Sequence, residues 1–345
     1  MKFLFCCTSS FSSVSQIETA IDGGQNHQNF HVFSSNELKT ATHGFSSSNK
    51  IGEGGFGSVY KGRLQDGTFV AVKVLSIELE SMRGEREFIS ELAALSDIKH
   101  ENLVKLIGCC IDGTSRYLVY DYMENNSLTH SLLGGEQNRM KFSWEIRRDI
   151  SLGVARGLAY LHEEIEPHIV HRDIKASNIL IDQNFKPKVS DFGLSRLLRD
   201  NSSHISTRVA GTFFGVLLLE IISGRQVVVF DLEQGEHYLV QKAWEVYNAG
   251  NLVKLVDPTL QMNYPEEEAF RFFKVGLLCV QENVRLRPTM SEALKMLCNE
   301  MDIQDVQISR PGLVADLMDI KLSQKIMSHS ISSSGTGSIP NSTSF

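Results

Sequence analysis

Apolar and polar positions alternate over short stretches in the first third of the chain and recur every three to four residues over much of the rest. Val59-Tyr60-Lys61-Gly62, an Asp66-Gly67 turn and Phe69 to Leu75 read as strand, hairpin and strand. Alternation along the second of these puts Ala71 and Lys73 on one face and Val70, Val72 and Val74 on the other. Ser81 to Ser96 reads as a helix, with Phe88, Leu92 and Leu95 at i, i+4 and i+7. Leu103 to Gly108 and Tyr117 to Tyr120 read as further strands, closing a five-stranded antiparallel unit with one helix. Ahead of it, Phe30 to Phe45 holds a short helix that Ser35 or Asn36 could cap, with Leu38 and Ala41 inward. The period then becomes helical. Ile150, Val154, Leu158 and Leu161 mark one helix, and Phe213 to Ser223 a strongly buried one ended by Gly224. Residues 237–250, 266–281 and 288–300 read as three more, the last opened by Pro288.

The ends of the chain lose this periodicity. Residues 1–29 are rich in Ser, Gln, Asn and Gly and read as disordered, and the C-terminal tail is Ser-rich. The 345 residues suffice for one large domain or two, and 42% hydrophobic with 22% charged content is that of a soluble globular protein. A net charge of −7 argues against nucleic acid as a bulk partner. The six cysteines form neither a zinc spacing nor a disulfide framework, which fits a reduced, cytoplasmic compartment. No apolar run reaches the roughly 18–20 residues of a membrane span. Lys2 excludes N-myristoylation. Cys6 and Cys7, beside Phe3, Leu4 and Phe5, could be acylated and attach the chain peripherally to the plasma membrane; the alternative is an inert tail. Three Asn-x-Ser/Thr matches are chance in such a compartment.

Chemistry concentrates in Val170-His171-Arg172-Asp173-Ile174-Lys175-Ala176-Ser177-Asn178-Ile179-Leu180, a charged loop between apolar brackets. Asp173, Lys175 and Asn178 could take a proton, neutralise a phosphate and hold a metal; a solvated turn would not need the brackets. Ile51-Gly52-Glu53-Gly54-Gly55-Phe56-Gly57-Ser58-Val59 is a G-x-G-x-x-G-x-V that runs into a strand rather than a helix, so it lies in a sheet, not a dinucleotide fold. Its backbone N–H groups could fold over phosphates. Lys73 shares a face with a small alanine, which suits a phosphate contact under an adenine-sized slot, although strand lysines are more often exposed. Glu91, at the edge of its helix's inward face, wants a cation, and Lys73 is the obvious one. Asp191 in Val189-Ser190-Asp191-Phe192-Gly193 is a second candidate metal carboxylate, or an Asp in a turn. Residues 199–208 form a hydroxyl-rich loop suited to phosphorylation.

With the glycine loop, Val70-Ala71-Val72-Lys73, His171-Arg172-Asp173 with Asn178, and Asp191-Phe192-Gly193 in order, the chain resembles the protein-kinase family over about residues 45–300. Within it, Phe33-Ser34 with Glu37-Leu38 and Ala41-Thr42, Leu118 to Met123, and Arg287-Pro288-Thr289-Met290 are most similar to plant receptor-like cytoplasmic serine/threonine kinases. The resemblance implies an α+β, bilobal fold: an N-lobe at 45–122 and a larger helical C-lobe at 123–300, between a lead-in at 30–44 and a tail at 301–345. It implies that Ile51, Gly52, Glu53, Gly54, Gly55, Phe56, Gly57 and Val59 cover ATP, and that Lys73 contacts its phosphates while pairing with Glu91. Backbone groups of Asp121 and Met123 would hold the adenine edge, and Val59, Ala71 and Leu180 would sandwich the ring, with Tyr120 at the gate behind it. Asp173 would accept the hydroxyl proton of a protein substrate, Lys175 would steady the phosphate, and Asn178 and Asp191 would hold Mg2+, with Mn2+ as an alternative. Arg172 suggests control by a phosphorylated loop, with Ser202, Ser203, Ser206, Thr207 and Thr212 as candidate phosphosites, and a membrane receptor kinase could act upstream.

The pattern breaks after Val209-Ala210-Gly211-Thr212, which runs directly into Phe213. About twenty residues of the family's pattern, with its Ala-Pro-Glu and the start of the next buried helix, have no counterpart at 212–213. The expected losses are a platform for the substrate chain, a glutamate to pair with Arg287, and an aspartate to hold the 171–178 loop. The function implied is ATP-dependent transfer of a γ-phosphate to protein serine or threonine in signalling. The alternative is an impaired, nucleotide-binding regulatory module.

Overall fold

The computed structural model describes residues 30–54, 57–76, 83–198, 204–231 and 235–312. The described residues form two compact units: one from those up to Asn126 with His171–Asp173 and Leu180–Leu197, the other from Ser127–Val170, Ile174–Ile179 and those from Leu198 on. The first is built on a sheet and the second on helices, which is the predicted α+β division.

In the first unit the strands are β1 (His31–Val32), β2 (Lys50–Gly54), β3 (Gly57–Arg63), β4 (Phe69–Ser76), β5 (Leu106–Asp112) and β6 (Ser115–Asp121), in the sheet order β1-β5-β6-β4-β3-β2. The sheet therefore has one strand more than predicted: β1 comes from the lead-in and joins β5 in parallel, with His31 opposite Gly108. Two residues give too short a pattern to read from sequence. Strand β5 starts three residues later than predicted, because Leu103 makes only an isolated bridge to Val189. The alternation of β4 holds: Val70 and Val72 are fully buried and pack with Phe33, Leu38 and Val119. Leu38 belongs to α1 (Ser35–Ala41), which Ser34, not Ser35 or Asn36, caps in a box with Glu37. Helix α2 (Arg83–Leu95) buries Phe88 and Leu95 as its spacing predicts and leaves Leu92 half-buried.

Four longer helices organise the second unit: α3 (Trp144–Ala159), α4 (His204–Ser223), α5 (Leu239–Asn248) and α6 (Glu266–Val280), followed by α7 (Met290–Leu297). Pro288 does not open α7; Thr289 caps it in a box with Glu292, one residue further on. Arg147 of α3 is buried, donates to Asp257 at 2.7 Å and to the Phe142 carbonyl at 3.1 Å, and so ties its helix to the loop after α5. That pair joins residues far apart in sequence and has no local signature.

Helix α4 departs most from expectation. It begins at His204, nine residues before the predicted Phe213, and takes in the last part of the hydroxyl-rich loop. The direct run from Thr212 into Phe213 leaves no proline between a polar stretch and an apolar one, so one helix extends through both, Gly211 included. It crosses α6 closely: a Cβ on Gly215 would lie 2.6 Å from that of Cys279 and 2.8 Å from the Gly276 carbonyl oxygen. Residues 301–312, read as the start of the tail, are tied to α6 by Lys274 Nζ donating to the Gln304 carbonyl at 2.7 Å, and their Ile303 and Ile308 are buried.

Candidate active site

The first unit assembles the nucleotide-type residues. Strands β2 and β3 pair as a hairpin, Gly52 opposite Val59 and Gly54 opposite Gly57. Gly55 and Phe56 at its tip lie outside the described residues. Gly57 has φ 144°, and a Cβ there would lie 2.0 Å from the Val74 carbonyl oxygen, so only glycine lets this loop lie against β4. Register then places Val59 opposite Lys73, and Ala71 opposite Tyr120 of β6. Ile51, Glu53 and Gly54 face solvent, while Asp121 and Met123 are half-buried at the end of β6.

Lys73 is the centre of the site. Its ammonium donates to Glu91 Oε1 at 2.6 Å and to Asp191 Oδ1 at 3.0 Å, which joins β4, α2 and the Asp191-Phe192-Gly193 turn. The predicted Lys73–Glu91 pair is thus formed. Burial alone would drive the lysine toward its neutral form, but the charges of Glu91, Asp191 and Glu87 outweigh it and hold the ammonium protonated. Glu91 is buried, and its other oxygen accepts from the Tyr120 hydroxyl. Burial, then the Glu91 charge, pushes that phenol well above its usual range.

Two features here were not read from the sequence. Tyr120 anchors Glu91 rather than only standing behind the adenine slot. Glu87, one turn before Glu91, places Oε1 2.5 Å from Lys73 Nζ. The signal existed, because residues four apart share a helix face. Burial raises the Glu87 carboxyl to about 7 against the pull of Lys73. The Glu87, Glu91 and Asp191 oxygens lie within 4.8 Å of one another, with the Lys73 ammonium on all three.

The charged loop is likewise pinned. His171 is buried, its Nε2 2.9 Å from the Ser190 carbonyl oxygen, and its Nδ1 accepts from the Asp173 N–H at 3.3 Å. His171 thus holds the loop's backbone at Asp173. Phe192 is fully buried against the His171 ring, 4.7 Å between centroids. Asp191 takes φ 67°, ψ 71°, a left-handed conformation that turns the chain sharply after β7 (Pro187–Val189). Asp173 is buried and Leu180 half-buried in this unit.

In the second unit, Lys175 is half-buried and Asn178 buried, with Ser177 Oγ donating to Asn178 Oδ1 at 3.3 Å. Ile174 to Ser177 wall a cavity of about 280 Å³ whose far side is Phe213, Leu217 and Val227. Arg287 was expected to lack its carboxylate, and among the described residues none pairs with it. It is not left bare: it donates to Thr212 Oγ1 at 2.6 Å and to the Gln281 carbonyl at 2.7 Å. Thr212, a candidate phosphosite, is 2% exposed, and its hydroxyl accepts from Arg287. Ser206 and Thr207 fall within α4 rather than a loop, and Ser202, Ser203, Cys6 and Cys7 lie outside the described residues. No helix among the described residues is long and apolar enough to cross a membrane.

Comparison with known proteins agrees with this geometry. Residues 45–301 match the model of the protein kinase domain. The chain is 50% identical over 317 residues to Cold-responsive protein kinase 1 of Arabidopsis thaliana, covering 85% of this chain and 81% of that protein. It is 46% identical over 307 residues to a probable LRR receptor-like serine/threonine-protein kinase of the same plant, covering 83% of this chain and 29% of that protein. The aligned stretch with the first is longer than the part of this chain it covers, as a gap on this chain's side makes it.

Proposed function

The chain belongs to the protein kinase family and is a serine/threonine protein kinase of the plant receptor-like group, and we propose which of its residues carry the transfer of a γ-phosphate from ATP. The family uses ATP with Mg2+ and acts on protein substrates. The observation that carries the assignment is the Lys73 ammonium held between Glu91 and Asp191 under the β2–β3 hairpin. A protonated lysine held there is placed to meet the α- and β-phosphates. Gly52 to Val59 cover the phosphates, Val59, Ala71 and Leu180 flank the adenine, and backbone groups of Asp121 and Met123 meet its edge.

Asp173 takes the proton of the attacking hydroxyl, and Lys175 balances charge on the transferring group. Asp191 and Asn178 offer hard carboxylate and amide oxygens, the donor type that Mg2+ or Mn2+ prefers, so this donor set fits the ion. When bound, the ion supplies charge neutralisation at the phosphates. Catalysis by positioning and charge, with no covalent intermediate on the protein, suits residues this firmly pinned.

We further propose a cytoplasmic kinase held at the plasma membrane by acylation of Cys6 or Cys7 and acting below a membrane receptor kinase, with Ser202, Ser203, Ser206 or Thr207 as the regulated hydroxyl. The composition of Met1 to Cys7 and the likeness to receptor-like kinases support this. The test is incubation of the purified chain with Mg-ATP and myelin basic protein beside Asp173→Asn, with phosphate mapped by mass spectrometry. Phosphate on the acceptor with the parent and none with the variant is the expected result. None with either overturns the reading of this chain as a working kinase.

A further inference from the structure

The Lys73 ammonium has three N–H donors, and three carboxylates surround it: Glu87 at 2.5 Å, Glu91 at 2.6 Å and Asp191 at 3.0 Å. One positive charge thus faces three negative ones in a largely buried site. A nucleotide phosphate brings still more negative charge to the same nitrogen. It cannot enter this shell unless one carboxylate leaves.

The three are not equally held. Glu91 has a second anchor, the Tyr120 hydroxyl on its other oxygen. Asp191 belongs to a turn fixed by fully buried Phe192, whose carbonyl accepts from Ser90 Oγ at 3.0 Å. Glu87 has neither support. Its one polar partner among the described residues is the Lys73 ammonium, 2.5 Å from Oε1, and its second oxygen has none. Its stem is wedged against Gly193, where an added Cβ would lie 2.5 Å from Glu87 Cγ. The wedge shows that Glu87 reaches across to the turn rather than resting on its own helix. A buried carboxylate with an unmade hydrogen bond is the costliest of the three to keep in place.

We propose that Glu87 is a placeholder for nucleotide phosphate: its carboxylate and the phosphate of ATP compete for the Lys73 ammonium, and incoming ATP displaces it. Its carboxylate then competes with the nucleotide, while Glu91 and Asp191 position the lysine for it. Glu87 is a positioning residue that sets nucleotide affinity. This rests on the assignment of Lys73 as the phosphate contact.

The experiment is calorimetric titration of the full chain with Mg-ATP, for the parent, Glu87→Gln, Glu87→Asp and Glu91→Gln, with far-UV melting of each. Glu87→Gln should tighten ATP about tenfold, Glu87→Asp should tighten it less, and Glu91→Gln should weaken it. KM for ATP should fall in Glu87→Gln without a rise in kcat. A purely structural glutamate would instead lower the melting temperature and weaken ATP together. Parent binding with unchanged or weaker binding in folded Glu87→Gln overturns the placeholder and leaves the Lys73 assignment standing. Should Glu87→Gln not fold, an unchanged affinity in Glu87→Asp overturns it equally. Absence of ATP binding in parent and variants alike overturns the Lys73 assignment and the placeholder with it.

Discussion

The Lys73 site and the Thr212–Arg287 contact are two regions of one chain with opposite histories. At the first, every residue expected from the motifs is present, and the ionic contacts form at 2.5–3.0 Å. At the second, the chain lacks the segment that would supply an acidic partner, and the surrounding structure substitutes. Helix α4 runs on through the junction, and Arg287 settles on a hydroxyl and backbone carbonyls. A buried guanidinium needs hydrogen-bond acceptors more than it needs a particular counter-ion, and helix ends and neighbouring turns provide them. The two regions therefore differ in what a substitution removes: charge balance at Lys73, hydrogen-bond satisfaction at Arg287.

The largest effect should come from Asp173→Asn, which is expected to lower phosphate transfer by at least about a hundredfold while leaving the melting temperature near the parent's. Radiolabel transfer to a generic acceptor checks it. Lys73→Met should come next. It leaves Glu87, Glu91 and Asp191 facing one another with no cation, and a broken buried pair costs about 3–5 kcal/mol. Urea unfolding reads that cost, and a loss under about 1 kcal/mol would erase the contrast between the two regions. Thr212→Val tests the other side. It keeps the side-chain shape but removes an acceptor of Arg287, so about 1.5–3 kcal/mol should be lost.

Gly215→Ala probes the crossing that makes the extended α4 possible. The added methyl meets Cys279 and the Gly276 carbonyl, and overpacking of this kind costs about 1–3 kcal/mol. The smallest expected effect is a pH dependence at Glu87. Its carboxyl is raised from 4.5 to about 7 in the folded protein, so its contribution to stability is complete below about 4.5 and fades as pH rises through about 7. The parent's melting temperature should therefore drop more between pH 5 and pH 8 than that of Glu87→Gln, measured by far-UV melting.

Sequence alone carried the residues whose meaning is local. The glycine loop, the alternation of β4 and the apolar brackets of the 170–180 loop are short-range patterns, so they were legible without coordinates. The Lys73–Glu91 pair was legible too, because a carboxylate at the edge of an inward face asks for a cation. What the sequence did not carry was the length of α4, which depended on whether a helix would continue across a junction that holds Gly211 but no proline. It did not carry β1, whose two residues become a strand only because β5 offers an open edge. Nor did it carry Arg147 on Asp257 or Arg287 on Thr212, each of which forms between groups far apart in the chain. Local pattern decides which face of an element is buried. Only packing decides which buried charges meet, because burial removes water as a partner and each polar group must then take whatever neighbour the fold supplies.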